Sequence, residues 1–191
     1  KQAASEIFRT KIAVPFDHLP DWLRASFTIV ERRSGASGGY ILFGHGSSIQ
    51  VATSFRSGTV QRLHISEHGK ICAKYPAKAK ELRTGTLNAV SDECIIFDES
   101  TAEGVGGDFY EMSNRAQEIT ASGLALTPQD YKFHFYAWWQ DLKYSARVPE
   151  SGLKLSREKT AYFSAVEKAM NITLTDEQKH WYICKETEQR E

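Results

Sequence analysis

Two short apolar runs end in acids, and these are the residues of the chain best suited to chemistry. Leu63-His-Ile-Ser-Glu67 and Ile95-Ile-Phe-Asp-Glu99 each place a carboxylate directly after a β-rich segment. A carboxylate at the tip of a rigid strand can hold Mg²⁺ or orient a water for attack on a phosphate, because the element beneath it does not yield. By pattern the second run is the better match, with three apolar residues before Asp98 and Glu99. The first has Ser66 where a metal-holding Asp is expected. Residues 94–97 are too few for a helix and suit a central strand covered on both faces. Asp98, Glu99, Ser100 and Thr101 then fall at its carboxyl end, where open α/β sheets bind ligands.

The elements that must position these acids follow from the surrounding pattern. Residues 60–65 alternate as a strand, and Pro76 opens a helix expected over 76–90. After glycines 104, 106 and 107, residues 105–121 carry a helical stripe of Phe109, Met112, Ala116 and Ile119. Residues 131–136 alternate as a third long strand running into Trp138 and Trp139. Strand, helix, strand, helix, strand is the signature of a parallel sheet with right-handed crossovers. Upstream, a short amphipathic helix over 2–12 is followed by Pro15 and Pro20, which break what comes next. Segments 27–30, 40–43 and 48–52 are separated by Gly-rich hairpin turns. A polar joint at 145–152 leads to two C-terminal helices, opened by Ser156-Arg-Glu-Lys159 and by the capping box Thr175-Asp-Glu-Gln178. Trp181, Tyr182 and Ile183 are expected to pack on the partner helix.

Composition narrows the function classes. The 191 residues are 41% hydrophobic and 25% charged, which describes a soluble globular protein with one substantial core. A formal net charge of +0 excludes a global basic field, so any nucleic-acid surface is local. Cys72, Cys94 and Cys184 show no CxxC spacing, which argues against a disulfide framework or a zinc site and fits a reducing cytoplasm. No apolar run approaches the roughly 18 residues of a membrane span. No signal-peptide pattern opens the sequence, and Lys1 stands without an initiator Met, as in a fragment. A G-x-x-x-x-G-K-[ST] loop is missing: Gly69-Lys70 is followed by Ile71, and the glycine required five residues earlier is His64.

Three blocks, in order, resemble the ATPase domain of phage terminase large subunits, the motors that pump DNA into viral capsids. The first is Ser54-Phe-Arg-Ser-Gly-Thr-Val-Gln-Arg-Leu-His-Ile-Ser-Glu67, similar to the family's Walker B strand and its preceding loop. The second is Glu99-Ser-Thr-Ala-Glu-Gly104 with Gly107-Asp-Phe-Tyr110, similar to the ATP-coupling motif and the helix after it. The third is Phe133-His-Phe-Tyr-Ala-Trp-Trp139, with Leu174-Thr-Asp-Glu-Gln178 and Trp181-Tyr182, similar to the last sheet strands and the small helical lid. Together they span about residues 40–185, and Glu-Ser-Thr-Ala-x-Gly is the most telling piece.

The resemblance implies a three-layer P-loop NTPase-like (ASCE) α/β fold with a mostly parallel sheet. Residues 1–150 would be an incomplete ATPase core and 151–191 a helical lid leading toward a nuclease domain. It makes Glu67 the Walker B glutamate that polarises water, with Ser66 in the place often held by Asp and Mg²⁺ reached through water. Glu99, Ser100, Thr101 and Ala102 become the coupling motif that senses the γ-phosphate, and Asp98 is a neighbour, not a metal ligand. Arg56 is a candidate arginine finger acting on the next subunit of a ring. The implied cofactors are ATP and Mg²⁺. The implied partners are double-stranded DNA, the portal protein and the small terminase subunit, in the cytoplasm of a bacterial host carrying a phage or prophage, with no membrane. Without the phosphate loop the isolated chain is expected to be inactive.

Other readings stand beside this one. A superfamily 2 helicase-like ATPase fragment would take Asp98 and Glu99 as its Walker B acids, and needs a downstream Ser/Thr-Ala-Thr motif that is missing. A non-catalytic module that binds DNA or an assembly partner is the rival from another class. Ser100 lacks the G-x-S-x-G flanks of a hydrolase nucleophile. His45 and His64 read as structural, Trp138 and Trp139 as packing, and Lys70, Lys74, Lys78, Lys80 and Arg83 as a solvated helix face or a contact to the DNA backbone.

Overall fold

A Gly-rich turn between two β-branched and aromatic segments builds the first sheet of this computed structural model, which describes residues 2–55, 60–87 and 90–190. Strands β1 (Ile29–Gly35), β2 (Gly38–Phe43) and β3 (Ser48–Ala52) pair antiparallel in that order. The first turn is closed by Gly35 opposite Gly38. Gly38 has φ +136°, and a Cβ there would lie 1.9 Å from the Val51 carbonyl oxygen, so a side chain is excluded. Over this sheet lie α1 (Gln2–Ile7), a π-helical turn Phe8–Ala13 and α2 (Val14–Asp17). Pro15 does not break this helical run, because it sits in the first turn of α2, where its missing N–H costs little. Pro20 does interrupt it, and α3 (Asp21–Arg24) follows. Phe8, Ala13, Ile41 and Phe43 form the core between helices and sheet. Burying Phe8 and Ile41, 1% and 0% exposed, stabilises this part by about 1.5–3 kcal/mol each.

The acid-tipped runs form a separate, parallel pair. β4 (Val60–Ser66) and β5 (Val90–Glu99) lie side by side with Leu63 opposite Ile96, Ile65 opposite Asp98 and Ser66 opposite Glu99. The crossover contains α4 (His68–Lys74), α5 (Pro76–Glu81) and a π-helical turn Leu82–Thr86, and α6 (Asp108–Ser122) follows β5. Helix α4 is absent from the pattern reading because His68, Gly69 and Lys70 give no apolar periodicity. It lies against β5 and α6. Arg83 donates to Asp108 in the first turn of α6 at 2.7 Å, which ties the crossover to the helix after the strand. That hydrogen bond raises the guanidinium's pKa.

Two expectations about this sheet are corrected. Residues 131–136 form no strand; alternation sets which side chains share a face but supplies no hydrogen-bonding partner. Strand β5 is not covered on both faces. Ile95 and Phe97 are 45% and 60% exposed, and they lie opposite Arg62 and His64 on the open face. A run of four apolar residues fits a strand buried on one face as readily as on two. The described residues therefore make a mixed α/β protein with one small antiparallel sheet and one two-stranded parallel sheet. No helix among them is long and apolar enough to cross a membrane.

The chain divides into two compact units, the first ending at Phe133 and the second beginning at His134. Residues 134–150, assigned above to the ATPase core, thus belong with the C-terminal helices α7 (Arg157–Met170) and α8 (Asp176–Arg190). Both expected caps form. The Ser156 hydroxyl accepts from Lys159 N at 3.2 Å, and Thr175 and Gln178 exchange side chain-to-backbone bonds at 3.2 and 3.0 Å. Tyr182 packs on Tyr162 and Phe163 of the partner helix as expected, whereas Trp181 packs on Trp138 and Tyr144, outside that helix. Burial, with the Tyr182 hydrogen bond behind it, pushes the Tyr162 phenol up to about 12.

Candidate functional site

Strand β4 ends at Ser66 and α4 begins at His68, so the chain reverses within the single residue Glu67. That residue takes the left-handed conformation, φ 59° and ψ 38°, one of two non-glycine residues among those described to do so. A non-glycine residue held there costs on the order of 1–3 kcal/mol and persists where the surroundings over-determine it, commonly at functional sites. A sharp strand-to-helix turn also lifts its side chain clear of the sheet. Glu67 is accordingly exposed.

The adjacent parallel strand brings the second motif to this turn. Thr101 Oγ1 lies 3.4 Å from Glu67 Oε2. Ser66 Oγ donates to Glu99 Oε1 at 2.8 Å, and His64 Nε2 lies 3.3 Å from the same oxygen. Residues some 30 positions apart meet because the parallel register sets Ser66 opposite Glu99. Ser66, Glu67, Glu99 and Thr101 therefore form one exposed polar cluster at the carboxyl ends of β4 and β5. His64, read above as structural, is 60% exposed and belongs to this face.

The remaining candidates fall elsewhere. The Ser100 hydroxyl turns onto the Thr101 carbonyl at 2.8 Å, and Ala102 is exposed in the loop before α6. Arg56 lies outside the described residues. Of the basic cluster, Lys74 stands 3.7 Å from Glu103 and Arg83 is bound to Asp108.

Pattern reading passes over His68. It is 0% exposed, and its Nδ1 lies 2.8 Å from Asp98 Oδ2, with the Asp98 side chain 4% exposed. Asp98 shares the covered face of β5 with Ile96, while Glu99 points to the open face. The two acids at this tip therefore have separate environments, one buried on a histidine and one in solvent. Burial, followed by the Asp98 charge, holds the Tyr131 phenol above its ordinary value. The signal in the sequence was a polar residue just after one strand tip and just before another, which carries no information until the strands are paired.

A Mg²⁺ site can be weighed on the donor atoms. Ser66, Glu67, Glu99 and Thr101 offer oxygens only, a set that suits Mg²⁺ held by one or two carboxylates, waters and phosphate oxygens. Among the described residues no group of three or more His, Cys, Asp or Glu is gathered as a protein cage. The donors thus suit an ion held largely through water.

The turn depends on a close approach. Gly69 is buried, and a Cβ on it would lie 2.9 Å from Ser100 Oγ and 3.3 Å from both the Thr101 carbonyl oxygen and the Phe109 ring. Overpacking costs roughly 1–3 kcal/mol and helix propensity returns about 1, so Gly69→Ala is expected to destabilise modestly. Chemical denaturation checks the sign, and a stabilised Gly69→Ala protein would show that the loop after β5 yields freely.

No family model, curated protein or solved structure matches this chain. What the fold and site define is therefore a class: a mixed α/β protein with an open carboxylate and hydroxyl cluster at the tips of two parallel strands.

Proposed function

We propose that this chain is part of an ATP-driven motor that translocates double-stranded DNA into a viral capsid, of the terminase large-subunit kind. The observation that carries this reading is the contact of Glu67 with Thr101, with Ser66 on Glu99 beside it. These are the acid expected to polarise water and the motif expected to sense the γ-phosphate, on adjacent strand tips. The P-loop NTPase-like fold and the lid role of the C-terminal helices belong to the same proposal.

In this reading the nucleotide lies over the carboxyl ends of β4 and β5. Mg²⁺ held there through water by Ser66 and Glu67 would supply neutralisation of phosphate charge. Glu67 orients the attacking water and takes its proton, which the exposed left-handed turn allows without moving either strand. Thr101, touching Glu67, changes partner when the γ-phosphate leaves, and the loop from Ser100 to Gly107 carries that change into α6. Ser66 and His64 hold Glu99 at the base of that loop. Arg56 would act on the site of a neighbouring subunit in a ring, and the portal protein and small terminase subunit are the other partners. The setting is the cytoplasm of the infected bacterium.

The helicase-like alternative places Asp98 at the metal. The buried bond from Asp98 to His68 speaks against that role.

This reading requires a phosphate-gripping loop from outside these 191 residues. The test is Mg-ATP binding to this chain and DNA-stimulated turnover by the full-length protein. The reading expects weak binding here and turnover there. Tight Mg-ATP binding by these 191 residues, or a full-length protein whose turnover ignores DNA, would count against it.

A further inference from the structure

We propose that His68 and Asp98 are positioning residues, whose buried hydrogen bond holds the left-handed turn at Glu67 against the tip of β5 and so sets the meeting of Glu67 with Thr101. The catalytic role of Glu67 rests on the reading above; the clamp itself does not.

Place is the first argument. His68 is the residue after Glu67, and Asp98 is the residue before Glu99. The ladder joins the strands as far as Ser66 opposite Glu99, and the turn then leaves it. The 2.8 Å bond from His68 Nδ1 to the Asp98 carboxylate reaches back across that gap, from the helix start to the neighbouring strand. The Phe109 ring meets the imidazole edge-on at 5.9 Å, and Gly69 lets α4 come close.

Energy is the second argument. His68 Nε2 and Asp98 Oδ1 have no hydrogen-bond partner among the described residues, although both are buried. Leaving such atoms unpaired is unfavourable, and apolar residues of similar volume commonly serve stability as well or better. Burial alone therefore gives no reason for this pair. A hydrogen bond supplies what an apolar contact cannot, a fixed distance and direction.

The turn itself needs such a tie. The left-handed state of Glu67 lies above the ordinary helical and extended wells, so it must be held from both sides. On the strand side the β4–β5 ladder does this. On the helix side the Ile71 N–H bond to the Glu67 carbonyl, 3.0 Å, fixes the turn to α4 alone. The His68–Asp98 bond adds the tie from that turn to β5.

The test uses isotope-labelled protein and the variants His68→Leu/Asp98→Leu and Asp98→Asn. The double leucine variant is expected to keep or raise the melting temperature while the Glu67 backbone resonances leave the left-handed range. Asp98→Asn, which retains an oxygen for the imidazole, is expected to keep them there. A double variant with Glu67 still left-handed overturns the clamp. Should that variant not fold, the unmodified protein decides. A slowly exchanging His68 Nδ1 proton with cross-peaks to Asp98 is expected, and its absence overturns the clamp. In the full-length protein the double variant is expected to lower kcat about 10- to 100-fold with KM little changed, as misplacement of a catalytic group does. Glu67→Gln separates the two claims. If it leaves turnover intact, the ATPase reading fails and the clamp stands on the resonances alone. If it abolishes turnover while the double variant keeps both kcat and the Glu67 resonances, the clamp fails and the reading stands.

Discussion

Glu67→Gln is expected to lower ATP turnover by the full-length protein about 10²- to 10⁴-fold, the range over which a positioned general base acts. The substitution keeps the size and shape of the side chain and removes its charge and its capacity to take a proton. Glu67 is exposed, so the fold is expected to be unchanged within about 0.5 kcal/mol. Thr101 can still donate to the amide oxygen, so the contact between the two motifs survives. Steady-state turnover with double-stranded DNA, read beside a melting curve, checks both halves. Retained turnover would remove Glu67 from the chemistry and with it the central residue of the proposed function.

His68→Leu alone is expected to cost about 1–3 kcal/mol, the usual effect of leaving a buried hydrogen-bonding group without its partner. The Asp98 carboxyl, 4% exposed, would lose its partner, and its other oxygen already has none among the described residues. Against a typical stability of about 5–15 kcal/mol this is a large fraction, visible as an early urea midpoint with little change in slope. The sign distinguishes this single change from the double leucine variant, which removes both polar groups together. A single variant as stable as the parent would mean that water reaches the carboxyl and that the pair is not desolvated.

Much of the candidate site was legible because its polar residues are contiguous in the chain. Ser66 and Glu67 close one β-rich run and Glu99 to Ala102 close another, and turn glycines follow at 104, 106 and 107. The hairpins of the first sheet were legible for the same reason, since Gly38 and its neighbours are local turn chemistry. The caps of α7 and α8 depend on residues three apart and formed as read.

What the local pattern does not carry is partnership. Alternation at 131–136 marks an extended segment, but whether a neighbouring strand is there to pair with it is a property of the whole chain. The apolar run 94–97 reads the same whether one face or two are covered, and here Ile95 and Phe97 stand open. His68 and Asp98 are thirty residues apart, and each alone is an unremarkable polar residue beside a more suggestive acid. By itself the sequence determined which residues could do chemistry and that strand tips would bear them. Only the tertiary structure decided which acid is exposed, which is buried on a histidine, and that Glu67 meets Thr101. Those outcomes depend on the register of two parallel strands and on a one-residue reversal between strand and helix, and neither is written in any short stretch of the chain.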